Sequence, residues 1–473
     1  MTNLQKLNRQ QKRELMRRVK ADDPGLEIVH PNAAGIDVGN ASHYVAISPS
    51  RDPEPVRQFS CFTQDLRRLA EWLQSRGVDT VAMQSTGVYW IPLYDVLEEY
   101  GMKVFLVNAK HTRNLPGRKT DVQESQWLLK LHTYGLLQHS FRPPAEILTM
   151  RTYWRLRDEH VRGASSAIQR IQKVLTQMNV QLANVISDIS GWSGMAILRA
   201  ILAGERDPKQ LAALCHPRIQ ATPEEVAKSL EGNWRAELLF ALEQEVNNYD
   251  HYQRQVAACD QKLQIQLGSF PTREKENPKA AGEPSPAKRR ARKRSPKSKR
   301  NAPQFDLTSE LQRITGVDLT LLDGVDVMTA QTIISEVGWD MSRWKTEAHF
   351  ASWLGLCPDN RISGGKVLGK GTRKVIHPLA RALRMAAFTL IKCQSYLGAQ
   401  YRRLRTRLGA PKAITAMAHR LARLVYRMLK YGEGYVDKGM DFYEQKYRHQ
   451  QIQLLQKKAA SLGFQVTELP AAV

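Results

Sequence analysis

The stretch Asn32-Ala33-Ala34-Gly35-Ile36-Asp37-Val38-Gly39-Asn40 sets one carboxylate at the end of a short apolar run, between two glycines. An apolar strand that ends in an aspartate holds a charge rigidly at a sheet edge. Gly35 and Gly39 let another backbone, a phosphate or a metal come close. Strands over residues 43–48 and 56–62 extend the run into a meander. Downstream the period changes. Residues 64–76 carry leucines and tryptophan at helical spacing, 80–85 read as a buried strand, 89–100 as a second helix and 103–107 as a further buried strand. A basic loop with Lys110, Arg113, Arg118 and Lys119 leads into a helix from about residue 120 to 137. Three strands followed by helix-strand-helix-strand-helix is an α/β order with a mixed sheet.

With 473 residues the chain is too long for one core, so two or three domains are expected. The formal charge of +24 points to a polyanionic partner, nucleic acid ahead of a membrane. Residues 361–430 hold 17 Lys or Arg and no Asp or Glu, and 271–300 hold 12 basic against 3 acidic residues. These two stretches account for most of the excess. Cys61, Cys215, Cys259, Cys357 and Cys393 are scattered and lack CxxC spacing, which favours a reducing compartment and argues against zinc. No signal peptide and no membrane-spanning apolar run is visible. A soluble, cytoplasmic, nucleic-acid-facing protein without a membrane partner is expected.

Residues 1–30 read as a basic arm, 31–143 as the α/β domain and 144–269 as a helical arm. Helices are expected over 147–182, 194–202 and, with one or two breaks, 223–267, as a helical hairpin or coiled coil that could serve dimerisation, or as a plain helical subdomain. Residues 270–304 form a basic linker too polar to fold alone. Residues 305–432 are helical again. Within them 314–337 resembles a helix-hairpin-helix, whose turn amides can hold a DNA phosphate, although spacing alone favours an ordinary helical corner. A glycine-rich loop over 357–372 follows, then basic helices, and 433–473 end in a helix from about residue 441.

Asp121 and Glu124 open the helix after the basic loop. Three apart, they share a helical face and can serve one ion, since hard cations take oxygen ligands and Mg²⁺ uses one or two carboxylates plus substrate phosphate. The plainer reading is that Thr120 caps the helix and the acids complement its dipole. Asp37 changes the balance. It ends the first strand, position 84 ends the fourth, and the two acids begin the last helix, which is the layout of the RNase H/RuvC fold. Sugar kinases and actin-like ATPases share the Asp-x-Gly start, but the second phosphate loop and adenosine pocket they require are not found.

Gly35-Ile36-Asp37-Val38-Gly39, Ser85-Thr86-Gly87-Val88-Tyr89-Trp90, Gly117-Arg118-Lys119-Thr120-Asp121 and Ser363-Gly364-Gly365-Lys366 occur in this order. Together they resemble the DEDD transposases of bacterial insertion sequences, recombinases guided by a structured bridge RNA. The resemblance covers about residues 31–143 and 305–432. It implies a RuvC-like domain, a coiled-coil arm and a C-terminal transposase domain carrying a serine nucleophile, with Mg²⁺ or Mn²⁺ as cofactor. It also implies a homodimer or homotetramer in which the acids of one protomer and the serine of another act together on donor and target DNA. The family's second acid falls on Gln84 and its fourth, usually Asp, on Glu124. Glu124 still ligates. Gln84 offers an amide oxygen without charge, so a bound ion is less neutralised; it is alternatively structural, either tolerated because three carboxylates suffice or the mark of a weakened copy.

By the same resemblance Ser363 becomes the residue joined covalently to DNA. A free serine needs activation. Gly364 and Gly365 let amides approach a phosphate, while Arg361 and Lys366 supply charge for the transition state. No Ser-His-Asp arrangement is evident, and metal-bound hydroxide or a carboxylate stay open as base. Lys370, Arg373, Lys374, Arg381 and Arg384, followed by Arg402, Arg403, Arg405 and Arg407, form the expected nucleic-acid platform, with Arg118 and Lys119 beside the acids. If RNA pairing reads the sequence, shape and phosphate recognition suffice here. The rival readings are a RuvC-like junction nuclease using metal-activated water and a degenerate copy that only binds nucleic acid.

Overall fold

The computed structural model describes residues 27–467, apart from 86, 109–119, 274–300, 370, 374, 433 and 436. Most of the N-terminal arm and of the basic linker, and the loop that carries Arg118 and Lys119, lie outside the described residues. The chain divides into two compact units, one ending at Arg142 and one beginning at Pro143.

The first unit runs β1 (Ala33–Val38), β2 (Ser42–Ile47), β3 (Val56–Ser60), α1 (Thr63–Ser75), β4 (Thr80–Gln84), α2 (Trp90–Glu99), β5 (Lys103–Val107) and α3 (Asp121–Thr133). Its five-stranded sheet has the order β3-β2-β1-β4-β5. The meander pairs antiparallel, while β4 lies parallel to β1 and β5 parallel to β4. Parallel neighbours need a crossover, and α1 and α2 supply the two required. This is the mixed sheet read from the sequence, and it agrees with a RuvC-like fold at the level of coarse layout.

β1 is buried on both faces. Ala34, Ile36 and Val38 join Leu69 and Leu73 of α1 and Leu93 and Leu97 of α2 in one core. Each such fully buried leucine contributes about 1.5–3 kcal/mol. The opposite face of β1 meets α3. A Cβ on Gly35 would stand 2.2 Å from the Leu129 nitrogen and 2.4 Å from the Ser125 oxygen. Of the three close approaches that Gly35 permits, the realised one is the backbone of α3. That helix stops at Thr133, short of the expected residue 137. Gly135 turns left-handed at φ 66°, and the Gly135 and Leu136 amides return to the His132 and Leu131 carbonyls, a Schellman closure.

In the second unit α4 (Ala145–Gln177) and α8 (Ala236–Gly268) are each 33 residues long, or about 50 Å. They pair antiparallel as a hairpin, with Arg157 on Asp260 at 2.5 Å and Arg170 on Glu245 at 2.8 Å. α5 (Trp192–Leu202), α6 (Pro208–Ala213) and α7 (Pro223–Ser229) lie between them in sequence and share their core through Ile197, Leu198, Ile201 and Leu211. The short α6 was not foreseen. The chain continues through α9 (Leu307–Thr315), α10 (Val327–Val337), α11 (Glu347–Trp353), β6 (Arg361–Ser363), β7 (Lys366–Gly369), α12 (Pro378–Thr389), α13 (Tyr396–Leu408), α14 (Ala410–Tyr431) and α15 (Met440–Ser461). α14 is central, packed by α11, α12 and α13.

In the turn that resembles a helix-hairpin-helix, Gly324 is left-handed at φ 82°, and a Cβ there would lie 2.4 Å from the Ala386 carbonyl oxygen of α12, so the turn packs against that helix at this point. Among the described residues no helix is long and apolar enough to cross a membrane.

Candidate active site

Residues two apart on a strand share a face, so Asp37 looks the same way as Gly35, toward α3. The parallel register Gly35–Ala82 and Ile36–Met83 brings Gln84 level with Asp37 and onto that face. Asp37 and Gln84 thus sit side by side at the carboxyl ends of β1 and β4. Gly35 meets α3 at Ser125 and Leu129, and the first turn of the same helix supplies Asp121 and Glu124. The Thr120 hydroxyl accepts the Gln123 amide at 3.3 Å. The cap read from the sequence is therefore present together with the acids, and the two readings do not compete.

The electrostatics tie the three acids together. The Asp37 carboxyl is pushed up to about 6, first by burial, then by the negative charge of Glu124 and then by that of Asp121, against a hydrogen bond from the Val38 amide. Two further carboxylates act on a half-buried one, and such a set of acids suits a hard cation such as Mg²⁺ or Mn²⁺. Among the described residues no three His, Cys, Asp or Glu side chains close in enough to enclose an ion. An open set of this kind fits Mg²⁺, which takes one or two protein carboxylates and completes its shell with water and substrate phosphate. Gln84 is buried.

Ser363 belongs to the second unit and ends β6. The region expected as a loop is a β-hairpin in which Ser363 pairs with Lys366 across Gly364 and Gly365. Both glycines have positive φ, 53° and 74°, the mark of a two-residue type I′ turn. The signal was available, since Gly-Gly between Ile362 and Val367-Leu368 is a hairpin dipeptide. The hairpin stands in solvent, with Ile362 and Leu368 exposed.

The expected nucleic-acid residues divide into groups. Arg118, Lys119, Lys370 and Lys374 lie outside the described residues, and of Arg361 only the strand backbone is described. Lys366 is exposed on the hairpin. Arg373 donates to the Ser352 carbonyl and hydroxyl. Arg381 stands 3.8 Å from Asp158, and Arg384 lines the same groove beside Trp154 and Met385. Further on, Arg402 donates to the Cys393 carbonyl at 2.7 Å, and Arg423 pairs with Glu347. Part of the basic surplus is thus engaged inside the fold.

Residues 34–180 match a family model described as "Transposase", of the IS110 DEDD type, and residues 318–402 match one described as "Transposase IS116/IS110/IS902 family". Two segments of the chain are thus similar to IS110-type transposases. The first holds Asp37, Gln84, Asp121 and Glu124, and the second holds Ser363. A curated relative from Streptomyces coelicolor, "Insertion element IS110 uncharacterized 43.6 kDa protein", is 31% identical over 119 residues, which is 25% of this chain and 29% of that protein. The chain therefore aligns with less than a third of the relative's length.

Proposed function

We propose that this IS110-type protein is a DNA transposase, a site-specific recombinase of an insertion sequence that cuts and rejoins DNA through a phosphoserine. The observation that supports the reading is Asp37 at the end of β1, its carboxyl pushed up to about 6 by burial and by the nearby charges of Glu124 and Asp121. Asp37, Asp121 and Glu124 are the residues that would hold Mg²⁺ or Mn²⁺, with the Gln84 oxygen beside them. A divalent ion bound there supplies charge neutralisation and polarisation at a scissile phosphate. The Ser363 hydroxyl oxygen attacks phosphorus, the phosphorus–oxygen bond to the neighbouring nucleoside breaks, and the departing oxygen leaves as an alcohol. Lys366, the cross-strand partner of Ser363, offers positive charge to the pentacoordinate phosphate. Donor and target DNA are the substrates. A structured RNA is the proposed guide, and a homodimer or homotetramer the proposed assembly.

Incubation with DNA spanning the element's ends, followed by denaturing electrophoresis, tests the reading. A covalent protein–DNA adduct is expected with the native chain and none with Ser363→Ala. An adduct that persists in Ser363→Ala removes the serine from the chemistry, and free DNA ends without an adduct assign the cut to water.

A further inference from the structure

The C-terminal helix α15 lies beyond both matched segments, and none of its residues is buried. It rests on α13 through aromatic and basic side chains rather than an apolar seam. Three hollows of about 170, 300 and 600 Å³ run together along this contact, the first two sharing Tyr396, Arg420 and Lys446 and the last two sharing Tyr443 and Tyr447. Their rings are Tyr396, Tyr435, Phe442, Tyr443 and Tyr447. Their exposed cations include Arg403, Arg407, Lys438 and Lys446; among the described residues Glu444 is the one acid lining them, and Asp437 beside them accepts the Tyr396 amide at 3.0 Å. Tyr396 meets Tyr443 edge-on at 5.0 Å, and the Arg403 guanidinium lies over the Tyr447 ring.

We infer that this groove binds an unpaired stretch of polynucleotide, with bases stacked on the tyrosines and phosphates held by the cations. Tyr443 and Tyr447 are four residues apart on one helical face, about 6 Å along the axis, close to two base-stacking steps of 3.4 Å each. Aromatic platforms interleaved with Lys and Arg are the chemistry that single strands use, because every base has a π-face and every link a charge. A duplex keeps its bases stacked on one another and leaves such rings unused. A protein partner would have to bring a dense acidic surface to balance these cations. The inference does not rest on the strand chemistry, so it is tested in a chain that lacks Ser363.

Full-length protein carrying Ser363→Ala is titrated at one fixed salt concentration with fluorescent oligo(U) RNA and oligo(dT), each of about 12 nucleotides, and with a blunt DNA hairpin of matching phosphate count. Adding Tyr443→Leu with Tyr447→Leu, which keeps bulk and removes the π-faces, is expected to weaken both single-stranded probes about tenfold or more and to leave the hairpin unchanged. Tyr443→Phe with Tyr447→Phe is expected to retain binding, which separates stacking from folding. Photocrosslinks from 4-thiouridine probes are expected on peptides containing residues 443 or 447. Tighter binding of oligo(U) than of oligo(dT) assigns the groove to RNA, and equal binding assigns it to either strand type. Unchanged single-strand affinity in the leucine variant, an equal loss for the hairpin, or crosslinks confined to other segments overturns the inference. A protein dimer that depends on the same tyrosines without nucleic acid overturns it as well.

Discussion

Asp37 keeps its proton up to about pH 6, whereas its ordinary value is 3.8. A carboxyl raised in this way adds stability that is complete below pH 3.8 and is lost as pH rises through about 6. Asp37→Asn is therefore expected to stabilise the metal-free protein at pH 7.5 by roughly 1–2 kcal/mol, after allowance for solvent screening of a half-exposed group. The gain is read as a higher Tm that disappears at pH 4, and adduct formation falls to background in the same variant. Mg²⁺ is expected to raise the Tm of the native chain and not that of Asp37→Asn. An unchanged Tm for the variant at pH 7.5 would show that burial and the neighbouring acids do not disfavour the Asp37 charge. Gln84 extends the same logic. Gln84→Glu places a buried charge next to Asp37, so it lowers the metal-free Tm and enlarges the Mg²⁺-induced rise. A rise no larger than in the native chain would make Gln84 a structural residue only.

At the scale of elements, one glycine decides whether α3 can lie on β1. Its missing Cβ faces backbone atoms of Ser125 and Leu129, which cannot rotate away. Gly35→Ala is expected to cost about 3 kcal/mol or more, while Gly371→Ala, with nothing within 4 Å, stays within about 0.5 kcal/mol. Urea unfolding of the two variants checks the pair, and equal midpoints would remove the close-approach argument. The serine hairpin is governed by backbone conformation instead, because nothing lies near Gly364 or Gly365. Gly364→Asn tolerates positive φ and preserves the adduct, whereas Gly364→Val strains the turn and reduces it. The two elements differ in how legible they were. The β1–β5 order was readable because apolar runs and helical spacing alternate cleanly. The hairpin carried its signal in Gly364-Gly365, but with four glycines in 357–372 the stretch reads first as a loop. The C-terminus of α3 was misplaced because its apolar pattern continues past Gly135, where the backbone turns left-handed.

Across the whole molecule, charge along the chain is a poor guide to charge in space. Residues 361–430 contain no acid, yet Asp158 approaches Arg381 from α4, and Glu347 reaches Arg423 from α11. The candidate acids were legible because motif order and strand ends coincide, while the tyrosine groove was not, because α13 and α15 meet only in three dimensions. Buried and half-buried histidines are equally invisible to composition, and they shape the response to acid. In the first unit His132 shares a 3.0 Å hydrogen bond with Thr80 and stacks on His30. In the second, the His377 Nδ1 accepts the Leu379 amide at 3.2 Å and caps α12. Burial is the main cause that lowers both to about 4, so each favours the neutral ring. Their stability contribution is present above the ordinary 6.5 and is lost as pH falls from there through about 4, at no more than about 1.4 kcal/mol per pH unit for each. Asp37 opposes this loss in the first unit, since it gains stability over nearly the same window. Lowering the pH from 7.5 to 5 is therefore expected to open α12 of the second unit by up to about 2 kcal/mol, followed by hydrogen exchange of its amides. His377→Gln keeps an acceptor for the Leu379 amide without a titrating proton, so it should remove most of that drop, and an unchanged drop would place the acid sensitivity elsewhere. In the first unit Asp37→Asn should have the opposite effect, steepening the loss around α3 because the opposing carboxyl is gone.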